Sequence, residues 1–253
     1  MLAIERTNAR LAKLAADGSV SVSELSRDFG VAEETIRRDL EKLACEGLVI
    51  KIHGGAVAAH GLNTDLPYNV RKSSNVEQKC RIAELIAGLI PDGSFLMLDS
   101  SSTAKFVTKY ISERKNITII TNSVEILFEL NTKGQGWNVL STGGTLKQGA
   151  LSLVGTSAQK MIESYHTDFA ICSAKGVDLE RGVTDSNDSD VLIKQAMFAS
   201  AGKKILAVDS SKLNKISFVR VCDFEETDML VTDKNPGETW LERLNEAGVR
   251  VLY

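Results

Sequence analysis

The sequence predicts an α/β protein in two parts. A small N-terminal unit of three helices and a β-hairpin is joined to a larger α/β domain with a mostly parallel sheet. Two patterns predict this. Residues 1–58 carry three short amphipathic stretches and then an alternating apolar run broken by Gly54-Gly55. From about Val76 onward, short apolar runs alternate with helical patterns, the grammar of strands buried on both faces by crossover helices.

In the first unit, one helix is predicted from about Ile4 to Ala16, stopped at Asp17-Gly18. A second follows Ser21-Val22-Ser23-Glu24, where Ser21 or Ser23 is suited to cap it, and ends at Phe29-Gly30. A third runs from about Ala32 to Glu46 and stops at Gly47, and Leu48–Val57 folds back as a hairpin. Residues 59–74, with His60-Gly61, Pro67 and Ser73-Ser74, are expected to be a linker. In the remaining domain, 75–253, strands are expected at Phe95–Leu98, Ile117–Ile120, Trp137–Leu140, Phe169–Cys172, Ile205–Val208, Met229–Val231 and Val249–Leu252. Helices are expected at Lys79–Leu89, Ser123–Leu130, Val191–Ala201 and Glu238–Ala247.

Composition narrows the function. The chain has 253 residues, 43% hydrophobic and 25% charged, enough apolar material for a sizeable core. Its net charge of −3 gives no general attraction to a polyanion. The four cysteines are scattered without a Cys-x-x-Cys or Cys/His cluster, so neither a metal nor a disulfide framework is expected, and no cofactor motif stands out. Met1-Leu2-Ala3-Ile4 meets Glu5 and Arg6 at once, and no run is long enough to span a bilayer. A cytoplasmic protein without a membrane partner is expected.

The third helix places Ile36, Leu40 and Leu43 on one stripe. Glu34, Arg38, Glu41 and Lys42 lie opposite, with Thr35 and Arg37 on the flanks. A helix seated in a major groove needs this division: one stripe against its neighbour, the other reaching base edges and phosphates. Arginine suits it because its planar fork binds guanine or phosphate bidentately. Lys51 and His53 on the following hairpin are placed to touch the DNA backbone or minor groove, and Ser23 opens the preceding helix. Local clustering must supply any positive surface, because acidic residues slightly outnumber basic ones over residues 1–58.

In the larger domain, small polar residues gather after the strands: Asp99-Ser100-Ser101-Ser102-Thr103, Thr121-Asn122-Ser123, Ser141-Thr142-Gly143-Gly144-Thr145 and Asp209-Ser210-Ser211-Lys212. In an open parallel sheet, ligands sit outside the carboxyl ends of the strands. Hydroxyls and helix N-termini suit phosphate, Gly143 and Gly144 allow close backbone approach, and Lys212 adds a point charge. Asp99 and Asp209 are acceptors for sugar hydroxyls, and Lys175 is a candidate specificity residue. Single loops of this kind also cap helices; several on one sheet edge point to a ligand.

Specific runs extend the reading. Val20-Ser21-Val22-Ser23-Glu24-Leu25, Glu34-Thr35-Ile36-Arg37-Arg38-Asp39-Leu40 and His53-Gly54-Gly55-Ala56 resemble the DeoR family of bacterial regulators in order and spacing. So do Ile90-Pro91-Asp92-Gly93-Ser94, Gly143-Gly144-Thr145-Leu146, Ser152-Leu153-Val154-Gly155 and Thr232-Asp233. The resemblance implies a winged helix-turn-helix, its helix-turn-helix at about 20–39, and a sensor resembling sugar-phosphate isomerases. It implies a repressor of a sugar or carbohydrate catabolic operon that binds double-stranded operator DNA as a homodimer or homotetramer. Its effector would be a phosphorylated sugar or related metabolite. Departures occur at Ser101-Ser102-Thr103 (the family commonly has Gly-Thr-Thr), at Ser173 (usually Gly), at Asn187-Asp188-Ser189-Asp190 (often glutamates) and at Leu213 (usually Phe). The competing reading is an isomerase-like enzyme using Asp99, Asp178, Asp185 or Asp209 as base. A fused DNA reader argues against it, and fold alone carries no activity.

Overall fold

The computed structural model describes residues 19–45, 49–58, 68–133 and 136–253. The helix expected at Ile4–Ala16 lies outside them. The chain divides into two compact units, Met1–Ser74 and Asn75–Tyr253.

The first unit runs β1 (Ser19–Ser21), α1 (Val22–Phe29), α2 (Glu33–Cys45), β2 (Val49–Ile52), β3 (Gly55–Ala58) and α3 (Tyr68–Ser73). Ser21 occupies the N-cap position of α1, but its side chain caps nothing; its hydroxyl pairs with that of Ser23 at 2.8 Å. Gly30 ends α1 in the left-handed conformation, and Val31 N–H donates to Ser26 O at 3.2 Å, closing the orphan carbonyls of the last turn. Ile36, Leu40 and Leu43 of α2 are buried with Leu25 and Val22 of α1, Val49 of β2 and Ala56 of β3 in one core. Helix α3 occupies part of the stretch expected to be a linker. It forms because Tyr68 and Val70 are buried, Val70 in that same core.

The second unit is built on a seven-stranded parallel sheet: β4 (Phe95–Leu98), β5 (Thr118–Thr121), β6 (Asn138–Ser141), β9 (Thr167–Cys172), β12 (Ala201–Ala207), β14 (Met229–Val231) and β15 (Arg250–Leu252). The order across the sheet is β15-β14-β12-β9-β4-β5-β6. All seven expected strands are members, with ends shifted by up to four residues. Side chains alternate with the pleat. Leu96, Leu98, Phe169, Ile171, Ile205 and Ala207 face one core, closed by α4 (Val76–Ala87), α5 (Ser102–Tyr110) and α6 (Val124–Lys133). Met97, Ala170, Cys172 and Leu206 face the other, closed by α7 (Thr156–Glu163), α8 (Asp188–Ala199) and α9 (Glu238–Glu246). Each buried leucine or isoleucine contributes about 1.5–3 kcal/mol. Two smaller sheets complete the unit: a hairpin β7 (Thr145–Lys147) with β8 (Ser152–Val154), and an antiparallel trio of β10 (Gly176–Asp178), β11 (Gly182–Asp185) and β13 (Val219–Cys222). No helix among the described residues is long and apolar enough to cross a membrane.

Strand order matters for the site. From β4 the chain builds outward through β5 and β6; from β9 it builds the other way through β12, β14 and β15. The direction of winding therefore reverses between β4 and β9. A reversal of this kind opens a crevice at the carboxyl ends of the two strands, where open α/β sheets hold ligands.

Candidate nucleic-acid interface and effector site

On α2, Glu34, Arg37, Arg38 and Lys42 are exposed and Thr35 is half-buried. Arg37 donates to Glu33 at 2.7 Å and lies 3.7 Å from Glu34. Arg38 and Lys42, one turn apart on the same face, enter no ion pair among the described residues. The exposed Lys51 of β2 reaches back to Glu41 at 2.9 Å and holds that carboxyl below its usual range, tying the hairpin to α2. His53 and Ser23 are exposed, at the hairpin turn and in the first turn of α1. The candidates thus lie on α1, on the solvent side of α2 and on the wing.

The His53-Gly54-Gly55-Ala56 run has a steric cause. Gly54 makes the turn at φ +79°, and a Cβ on Gly55 would stand 2.1 Å from the carbonyl oxygen of Val20, the residue before Gly55's ladder partner Ser21. Gly55→Ala is expected to lower the stability of the reader by about 2 kcal/mol and to weaken DNA binding. Thermal melting of residues 1–74 compared with 75–253 within the full chain checks it; an unchanged first transition contradicts it.

In the second unit, the carboxyl ends of β4 and β9 are joined by one carboxylate. Asp99, following β4, is buried and accepts from Ser101 N–H and, across the crevice, from Ser173 N–H, each at 3.0 Å. Lys194 of α8 completes the arrangement. Its ammonium donates to Asp99 Oδ2 and to Ser173 O, both at 2.6 Å, and lies 3.3 Å from Asp185 Oδ2. Burial alone pushes this lysine's pKa down, but the Asp99 and Asp185 carboxylates outweigh it and hold the ammonium above the ordinary lysine range. The ammonium thus makes two hydrogen bonds and one further ion pair.

Ser101 caps α5 by accepting from Ala104 N–H at 3.0 Å, and Ser102 and Thr103 are buried in the first turn. On the neighbouring strand, Thr121 donates to Leu98 O at 2.7 Å, and Ser123 Oγ accepts from Ile126 N–H at 3.3 Å. Asn122 is buried between them and donates to Leu153 O at 3.1 Å. Gly143 and Gly144 follow the edge strand β6, separated from Asp99 by β5. The backbone that closely approaches Gly144 is the chain's own: an added Cβ would stand 2.5 Å from Val154 O.

On the other side of the crevice, Asp209 accepts from Ser211 N–H and from Asn75 Nδ2, each at 3.1 Å, opening the short 3-10 turn Ser210–Lys212. Burial lowers the Lys212 pKa; Asp209 opposes that, and the neighbouring charges of Lys175 and Lys215 add to it. The Val177–Leu213 bridge and the Lys215 N–H to Val177 O hydrogen bond, 3.3 Å, bring the segments that carry Lys175, Lys212 and Lys215 together, with the carboxylates of Asp209 and Asp185 also beside Lys212.

Lys194, Asp185 and Ser173 were not among the residues picked from the sequence as effector contacts. One signal was available. Lys194 shares the buried face of α8 with Val191 and Phe198, and a lysine on an apolar stripe needs a buried counter-charge.

Comparison with known proteins fits both halves. A family model for the DeoR-like helix-turn-helix domain matches residues 6–61, and one for the DeoR C terminal sensor domain matches residues 74–234. The uncharacterized HTH-type transcriptional regulator YulB of Bacillus subtilis (strain 168) is 35% identical over 99% of this chain and 96% of its own length. The HTH-type transcriptional regulator GlpR of Haloferax volcanii is 32% identical over 100% of this chain and 98% of its own. The glycerol-3-phosphate regulon repressor of Escherichia coli (strain K12) is 28% identical over 98% and 97%. Among solved structures, ribose 5-phosphate isomerase A of Methanocaldococcus jannaschii matches 55% of each chain with 18% identity and a TM-score of 0.41, too distant to bear on activity. The chain belongs to the DeoR family of DNA-binding transcriptional regulators, and is a regulator rather than an enzyme.

Proposed function

We propose that the chain represses a sugar or carbohydrate catabolic operon and is released from its operator by a phosphorylated sugar or a related metabolite. In this reading α2 enters the major groove, with Thr35, Arg37, Arg38 and Lys42 turned to the DNA and Lys51 and His53 on the wing. Two copies bind paired half-sites in the cytoplasm, as a homodimer or within a tetramer. The effector lies across the β4–β9 crevice. The single observation that carries the sensor half is the meeting of the lysine-bearing segments at 175–177 and 212–215, joined by the Val177–Leu213 bridge and by Lys215 N–H donating to Val177 O at 3.3 Å, which we read as a site for the phosphate. The relatives' names support the metabolite class: one is the glycerol-3-phosphate regulon repressor of E. coli, and another is a putative aga operon transcriptional repressor, also of E. coli.

The carboxylates an isomerase would recruit as base are engaged elsewhere. Asp99 and Asp185 are tied to Lys194, Asp178 accepts from Glu180 and Arg181 N–H, and Asp209 holds its own turn. This favours binding over turnover.

The test uses the full chain and an operator selected from a random duplex pool. Titration with ribose 5-phosphate, glucose 6-phosphate, fructose 1-phosphate and glycerol 3-phosphate is followed by DNA-bound anisotropy and by thermal melting. At least one probe is expected to release the DNA and to raise the melting temperature, because a ligand that binds only the folded state stabilises it. No effect from any of the four contradicts the sensor reading.

A further inference from the structure

Buried polar side-chain atoms are nearly always hydrogen-bonded, and exceptions concentrate where function requires them. Among the described residues of the second unit, three buried side-chain oxygens have no hydrogen-bond partner: Asn122 Oδ1, Ser152 Oγ and Asp190 Oδ1. Asn122 and Ser152 are 1% and 0% exposed. All three border one element, the β7–β8 hairpin. Ser152 lies on β8, directly opposite Lys147 of β7, so the two side chains share a face. Lys147 donates to the other oxygen of Asp190 at 2.8 Å. Leu153, beside Ser152, exchanges hydrogen bonds with Asn122: its N–H donates to Asn122 O at 2.8 Å, and its carbonyl accepts from Asn122 Nδ2 at 3.1 Å. Asn122 in turn follows β5, next to Asp99 at the end of β4.

We propose that Asn122 Oδ1, Ser152 Oγ and Asp190 Oδ1 form the part of the effector site that recognises sugar hydroxyls, with Ser152 and Asp190 as specificity-determining residues. The inference rests on the proposed effector reading and deepens it. The chemistry of the three atoms selects the ligand. An amide oxygen and a carboxylate oxygen only accept, so they need donors; a serine hydroxyl both donates and accepts. Two acceptors and one amphoteric group suit a polyhydroxylated carbon chain. A second phosphate or a carboxylate would be repelled by Asp190. The anionic end of the ligand belongs at the lysine-bearing segments, on the other side of Asp99, so a phosphorylated sugar spanning the crevice meets opposite chemistries at its two ends.

In the proposed site, a ligand reaches these atoms when the β7–β8 hairpin draws back. Gly143 and Gly144 at its entry and Gly155 at its exit all have positive φ, as do Gly149 and Leu151 near its tip. Glycine tolerates torsional change that other residues resist, so the hairpin can draw back for a ligand and close on it.

Ser152→Ala and Asp190→Asn in the full chain test this against the four sugar phosphates named above and against inorganic phosphate, by calorimetric titration and melting. Each variant is expected to weaken the bound sugar phosphate about tenfold, the loss of one ligand hydrogen bond, and to leave inorganic phosphate within about twofold. Ligand-free Ser152→Ala is expected to melt no lower than the parent, because it removes a buried hydroxyl with no hydrogen-bond partner among the described residues; a serine with a purely structural role would melt lower. Equal weakening of sugar phosphate and inorganic phosphate, or no weakening of either, overturns the inference while the effector reading stands. If no sugar phosphate binds the parent chain, both fall.

Discussion

Lys194→Met is expected to lower the stability of the sensor unit by about 3–5 kcal/mol, the usual cost of stranding a buried charge, and its melting temperature by on the order of 10 °C. The variant leaves Asp99 and Asp185, both buried, facing each other without the ammonium that joins them. It also removes the donor to Ser173 O, so the two walls of the crevice lose a shared clamp. Adding Asp99→Asn to the same chain should restore part of the loss, because one stranded charge is then gone. The pH behaviour follows from the raised lysine pKa. A group held above its unfolded value of about 10.4 contributes fully below that pH, and its contribution fades only as pH climbs through the folded value. The difference between parent and variant attributable to the lysine should therefore stay flat from about pH 6 to 9. Urea denaturation across that range reads it directly. A loss under about 1 kcal/mol would mean the triad is no more than a surface-type pair.

Arg38→Ala is the second large effect, expected to weaken operator binding by about 1–3 kcal/mol, or roughly five- to 150-fold. The structure separates two arginines that sequence alone treats as equals. Arg38 is exposed and enters no ion pair among the described residues. Arg37 is already committed to Glu33 at 2.7 Å and must leave that carboxylate to reach DNA. Exposed pairs of this kind contribute only about 0.2–1 kcal/mol, so Arg37 remains available, but its net gain on binding is smaller. Arg37→Ala should therefore cost less than Arg38→Ala. If Arg38 contacts a phosphate, the slope of log affinity against log salt should also flatten by about one. Anisotropy titrations at several KCl concentrations give both quantities. Unchanged affinity in both variants would remove α2 from the major groove.

Periodicity carried the strands of the sheet and the two described helices of the reader. Apolar runs such as Phe95–Leu98 and Met229–Val231 need burial on both faces, and only a covered sheet supplies it. Helix α5 was harder to see. It begins with Ser102 and Thr103, which look like loop residues but are buried in its first turn beneath the Ser101 cap. The antiparallel trio was hidden for a different reason. Gly176–Asp178 and Gly182–Asp185 are short and punctuated by glycine and charge, and they are strands only because they pair with each other and with Val219–Cys222. Strand order is a long-range property as well. Nothing local in Leu96 or Phe169 says that they are neighbours, although that pairing defines the crevice. The loops read as ligand-binding were found by their composition, whereas Lys194 was missed because it approaches them from a helix.

The β4–β9 junction also has a kinetic meaning. Asp99 and Ser173 are 74 positions apart, and Asp99 and Lys194 are 95 apart. At a synthesis rate of about 5–20 residues per second, one wall of the crevice waits on the order of 5–20 s for the lysine that will clamp it. During that interval the nascent chain has completed its N-terminal unit, while the carboxyl ends of β4 and β9 are not yet joined. The N-terminal unit is thus complete while the larger unit still lacks the residue that closes it.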